Sequence, residues 1–223
     1  MADSVGAVGA AHGIARRRDV LGLGLALGPV AFVAAWAVGG SRLPGYSPVQ
    51  DAISRIAAVR SPERALMTTG FVGYGLAVGV GAVALRRSAL RPCWPVVAVN
   101  AAATVAVAAL PLDRSGAVDS WHAVAAAGGY ASISIAPLLA APALRRVGHR
   151  RAAAASAAVG VTVGVCLALT VATESSGLFQ RLGLTVGDVW LVTTGVALAL
   201  GHGSVRPSAD HTERPTAPLG EIS

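Results

Sequence analysis

The chain has 223 residues, 54% of them hydrophobic and 13% charged, with a mean hydropathy of +0.62. That balance excludes an ordinary soluble domain and marks a membrane protein. The net charge of +7 does not indicate nucleic-acid binding, because its 18 basic residues, all arginine, are dispersed between apolar runs and only 4% of residues are aromatic.

Residues 1–18 show no apolar periodicity and end in Arg16-Arg17-Arg18, which predicts a disordered tail. The apolar run over 20–40 resembles a secretory signal behind twin arginines, with Ala35-Trp36-Ala37 as a cleavage motif. It is longer than the usual h-region and further spans follow, so a retained first span is expected. The stretch 44–63 comes next and holds much of the chain's polar chemistry. Ser47-Pro48-Val49-Gln50 reads as a helix start, and Val49, Ala52, Ile53, Ile56 and Ala57 then share one helical face. This predicts an amphipathic connector helix of about ten residues, too short to cross a bilayer. Ser61-Pro62-Glu63 repeats the start signal for the second span.

The remaining apolar runs predict spans over 64–86, 93–112, 119–144, 152–173 and 180–201, making a six-helix transmembrane domain over 19–202. Pro137 and Pro142 are expected to kink or end the fourth span. GxxxG pairs at Gly24/Gly28, Gly75/Gly79 and Gly160/Gly164 indicate close helix packing. Ser176 is a candidate cap for the last helix, and residues 203–223, with Pro207, Pro215 and Pro218, read as a second disordered tail. Cys93 and Cys166 form no metal or redox motif and are expected to be packing residues; no cofactor is expected.

Arginine placement orients the spans. Twelve arginines fall in the two tails and in the second and fourth loops. The opposite loops hold six, Arg42, Arg55, Arg60, Arg64, Arg114 and Arg181, with Asp51, Glu63, Asp113, Asp119, Glu174 and Asp188 counted beside them. The positive-inside rule then predicts both termini in the cytoplasm of a bacterial cell and the connector on the outer face.

Pro44-Gly45-Tyr46, Asp51-Ala52-Ile53-Ser54, Pro111-Leu112-Asp113, His122 and Gly177-Leu178-Phe179-Gln180-Arg181-Leu182, in this order and spacing, resemble the bacterial integral-membrane family known as domain of unknown function 998. The resemblance covers residues 20–200 and implies six membrane helices with no established activity.

The polar residues of that resemblance fall on the predicted outer side. Tyr46, Asp51, Ser54, Arg55, Asp113, His122 and Arg181 are the candidate ligand-binding set, with Asp119 and Glu174 nearby. Such residues either pair into an ion network that ties the loops together or form a mouth for a lipid head group or small anion, with Arg55 and Arg181 as donors. His122 lies three residues after Asp119, on one helical face. With Asp113 and Ser54 these are the candidates for an alternative reading, a lipid-directed hydrolase using metal or acid–base chemistry. HExxH, HxxxH and GxSxG are all missing, and His122 reads better as an interfacial helix-start residue bonded to a loop carbonyl. Asn100 reads as a cross-helix hydrogen-bonding residue, and without further intramembrane charge a small-solute transporter is the weakest reading. The expectation is a non-enzymatic binding protein in the lipid bilayer whose outer polar mouth contacts lipid head groups or a membrane-protein partner.

Overall fold

A computed structural model describes residues 18–202; the two predicted tails lie outside them, apart from Arg18. Six long helices form, each long and apolar enough to cross a bilayer: α1 (Gly24–Arg42, entered through a 3-10 turn at Val20–Leu23), α2 (Arg64–Arg86), α3 (Trp94–Ala109, a span with the 3-10 turn at Arg91–Cys93 that leads into it), α4 (Gly116–Arg146), α5 (Arg150–Ala172) and α6 (Ser176–Ala199). Successive helices pack antiparallel on one another and α6 returns to α1, closing a ring. This is a multi-pass membrane protein. Both ends of the described chain meet at one end of the ring, where the Asp19 amide donates to the Leu198 carbonyl at 3.2 Å. The opposite end carries the 44–63 connector.

Small residues set the helix spacing. A β-carbon at Gly24 would collide with the Ala77 carbonyl of α2, and one at Gly75 would stand 2.8 Å from the Ala101 carbonyl of α3. Both glycines belong to the GxxxG pairs, whereas Gly79 is looser, its nearest neighbour 3.8 Å from such a carbon. In the half of the ring nearest the termini, Leu25, Val78, Leu85, Val97 and Leu191 are fully buried and fill the interior.

Three local expectations differ from the structure. α4 does not end at Pro137 or Pro142 but runs through both to Arg146, and it begins at Gly116, where the Ser115 hydroxyl accepts from the Val118 amide at 3.3 Å. In an apolar surrounding an interrupted helix would strand more backbone groups than two prolines remove, so the helix persists. α6 begins at Ser176, but the Ser176 hydroxyl donates to the Gln50 carbonyl rather than capping its own helix.

The connector is the third. Ser47 caps as expected, accepting from the Gln50 amide at 3.3 Å, but only one turn follows. Asp51 folds its carboxylate back onto the Ser47 amide at 2.8 Å and Ala52 is extended (φ −63°, ψ 148°). A 3-10 turn at Ile53–Ala57 then buries Ile53, Ile56 and Ala57 on the bundle, while Val49 stays exposed. Tertiary bonding explains the shortening. The Ile53 amide, which a continuous helix would give to the Val49 carbonyl, donates to Gln180 Oε1 at 2.7 Å, and the Val49 carbonyl accepts from the Leu178 amide at 2.9 Å.

Candidate functional site

Two polar clusters occupy the connector end. The first ties the connector to α6. The carbonyls of Pro48, Val49, Gln50 and Asp51 all accept from the first two turns of α6: from Arg181 Nη1 at 2.7 and 3.0 Å, the Leu178 amide and the Ser176 hydroxyl. Arg181 is buried. It also donates to the Gly177 carbonyl at 2.8 Å and to the Tyr46 hydroxyl, and its guanidinium lies over the Trp36 and Tyr46 rings, 5.5 and 5.3 Å from their centroids. Only the planar fork of arginine serves carbonyls and ring faces together. Gly177 is required here, because a β-carbon would collide with the Asp51 carbonyl. Burial pushes the Tyr46 hydroxyl above the ordinary tyrosine pKa, with the adjacent Arg181 charge working in the opposite direction.

The second cluster lines a cavity of about 50 Å³ that reaches from the underside of the connector, at Ile53 and Ser54, into the ring. Phe32, Phe71 and Tyr74 form an aromatic wall, with ring centroids 5.5 Å apart for Phe32–Phe71 and 5.4 Å for Phe32–Tyr74. Asn100 on α3 accepts from the Tyr74 hydroxyl on α2 at 2.9 Å and donates to the Gly129 carbonyl on α4 at 2.9 Å, so it joins three helices as a cross-bonding residue. His122 and Asp188 complete the lining and are 5% and 4% exposed. His122 Nδ1 meets the Leu110 carbonyl at 2.6 Å, and its Nε2 has no hydrogen-bond partner. Both carboxylate oxygens of Asp188 also lack one. The Tyr74 hydroxyl lies beside Asp188 and has a single proton for two acceptors, that carboxylate and Asn100 Oδ1, the latter at 2.9 Å.

Asp188 is buried within α6 and is not one of the loop charges among which its sequence position placed it. Twelve residues separate it from the α6 start at Ser176, so it sits about 18 Å along the helix, inside the ring.

The candidate residues therefore divide into three groups. Ser54 and His122 share the cavity with Asp188. Tyr46, Asp51 and Arg181 meet in the connector anchor. Arg55 is exposed and faces Asp51 across 3.7 Å, a solvent-facing pair of small energetic weight. Asp113 is exposed in left-handed backbone (φ 64°), with its amide donating to Asp119 Oδ1 at 3.1 Å, so the Asp119 carboxylate orders the α3–α4 loop. Among the described residues Asp51–Arg55 is the one ion pair at this end, and no three His, Cys, Asp or Glu side chains converge as a metal-binding set. Cys93 and Cys166 are free and buried.

A family model described as protein of unknown function (DUF998) matches residues 26–197, from the first turn of α1 almost to the end of α6. The chain belongs to the DUF998 family. No curated protein and no solved structure matches it. The region shared with DUF998 contains the whole connector anchor and every residue of the cavity, from Phe32 to Asp188.

Proposed function

We propose that this chain is a binding protein of the bacterial plasma membrane, with cytoplasmic termini and an outward connector that lids a small-ligand site inside the helix ring. The observation that carries the reading is Asp188 with His122. A carboxylate and an imidazole nitrogen, both buried at membrane depth and both without partners, line one cavity. Unpaired buried polar groups are costly, and a bound ligand that pairs them offsets that cost. Supporting features are the aromatic wall, the few convergent polar groups usual in small-molecule sites, and a volume that admits about four waters or a head group of that size. The apolar filling of the opposite half of the ring favours a closed-ended site over a through-path. The asymmetry of 12 arginines against six supports the orientation.

In this reading Arg181 and Tyr46 hold the lid, and Ser54 and His122 face the ligand. Native mass spectrometry of the purified full chain tests it, with Ala126→Phe filling the cavity. A co-purifying small molecule or lipid that the variant loses supports the site; a variant that retains the same adduct contradicts it. For orientation, Val49→Cys should react with an impermeant maleimide in intact cells, and failure to react there while reacting in inverted vesicles would reverse the topology.

A further inference from the structure

We infer that the cavity takes a primary ammonium group, held by the Asp188 carboxylate and His122 Nε2 against the aromatic wall of Phe32, Phe71 and Tyr74. This inference rests on the binding-site reading above and adds the ligand's chemistry.

A carbonyl only accepts, so the 2.6 Å contact with Leu110 places the proton of a neutral His122 on Nδ1 and leaves Nε2 as an acceptor. The Tyr74 hydroxyl donates to Asn100 Oδ1, the Thr104 hydroxyl to the Asn100 carbonyl at 2.9 Å, and Asn100 Nδ2 spends one N–H on Gly129. The buried cavity atoms left with no partner are three, Nε2 and the two oxygens of Asp188, which when ionised only accept; the Ser54 and Tyr130 hydroxyls also line the cavity and can each donate or accept. A ligand that completes this set donates hydrogen bonds, and one that carries positive charge also stabilises Asp188 in its ionised form. A primary ammonium has three N–H donors and one charge, matching three acceptors and one carboxylate.

Competing chemistries fit less well. An anion would face Asp188 with no cation in the cavity lining to meet it; Arg181 lies outside that lining and gives its Nη1 to the carbonyls of Pro48, Asp51 and Gly177, although its Nε has no partner. A resident transition metal takes three or more protein ligands of the His, Cys, Asp and Glu type, and no such set exists among the described residues. Aromatic faces add a second attraction for ammonium, through the negative face of each ring. A cavity of about 50 Å³ accommodates a head of roughly four heavy atoms, the size of ethylammonium or ethanolamine. The amine is therefore either a free solute or the head of an aminophospholipid.

Thermal unfolding of the full chain in phosphatidylcholine nanodiscs, whose quaternary head groups donate no N–H bond, tests the inference. Ethylammonium chloride should raise the midpoint saturably, by about 3–6 °C at ten times its Kd. Sodium chloride and tetramethylammonium chloride at the same ionic strength should not, and Asp188→Asn should abolish the response. A rise on exchanging phosphatidylcholine for phosphatidylethanolamine, with no added amine and again lost in Asp188→Asn, supports the same chemistry with lipid as its source. Equal responses to sodium or tetramethylammonium, or a response that survives Asp188→Asn, overturn the ammonium assignment. If Asp188→Asn fails to fold, Ala126→Phe replaces it with the same criteria. A neutral or anionic adduct seen by mass spectrometry and lost in Ala126→Phe overturns the ligand class while leaving the site; no adduct and no response to any salt overturns both.

Discussion

His122 Nδ1 lies 2.6 Å from the carbonyl oxygen of Leu110, the residue that ends α3. One ring nitrogen thus satisfies a helix-terminal carbonyl, while the other is left in the cavity. Replacing His122 by alanine orphans the Leu110 carbonyl and should cost about 1–3 kcal/mol, read as a lower midpoint in thermal unfolding of the detergent-solubilised protein. His122→Gln keeps a side-chain donor within reach and should recover part of that loss. Equal stability of His122→Ala and the parent would show that this bond does not hold the loop.

Arg181 makes a different prediction, local rather than global. Its guanidinium serves the carbonyls of Pro48, Asp51 and Gly177, the Tyr46 hydroxyl and two ring faces. Arg181→Lys retains the charge but loses the fork, and should release the connector while the ring of spans persists. Limited trypsin digestion should then cut at Arg55 and Arg60 at least about tenfold faster than in the parent, a change of about 1.4 kcal/mol or more in local opening. Unchanged digestion would remove Arg181 from the anchoring role.

Tyr46 supplies a pH dependence. Burial, its largest influence, raises the hydroxyl above the ordinary tyrosine value of about 10, partly offset by Arg181. A group whose pKa is higher folded than unfolded contributes stability that is fully present below the unfolded value and is lost as pH rises through the folded one. Connector anchoring should therefore be flat from neutrality to about pH 10 and weaken above it. Tyr46→Phe, which cannot ionise, should flatten that alkaline limb in hydrogen exchange of residues 46–57. An identical alkaline limb in the variant would assign it to another group.

The spans were legible because apolar runs of about twenty residues between arginine-bearing loops leave few alternatives in a bilayer. Asn100 and His122 were also legible as bonded residues, each a lone polar group in an apolar segment that must find a partner. The connector's length was not, since the partners of its carbonyls lie more than 120 residues away on α6. Asp188 was missed for a related reason: accounting by loop treated it as a mouth charge, whereas placing the α6 start at Ser176 puts it in the membrane. The spacing of Gln180, Leu184 and Asp188, four apart on one helical face, was the available signal. Its convergence with Tyr74 and His122 from two other helices is a property of the ring and is written in no local pattern.

The most direct test of a cation-selective cavity beneath the connector is the rate at which charged thiol reagents reach a cysteine placed in its wall. Ala126→Cys in a background lacking Cys93 and Cys166 should react faster with 2-aminoethyl methanethiosulfonate than with its 2-sulfonatoethyl counterpart, after correction for their rates with a free thiol. The expected excess is about tenfold or more, falling toward unity with Asp188→Asn. Equal rates for the two reagents, or a preference for the anionic one, would contradict the account.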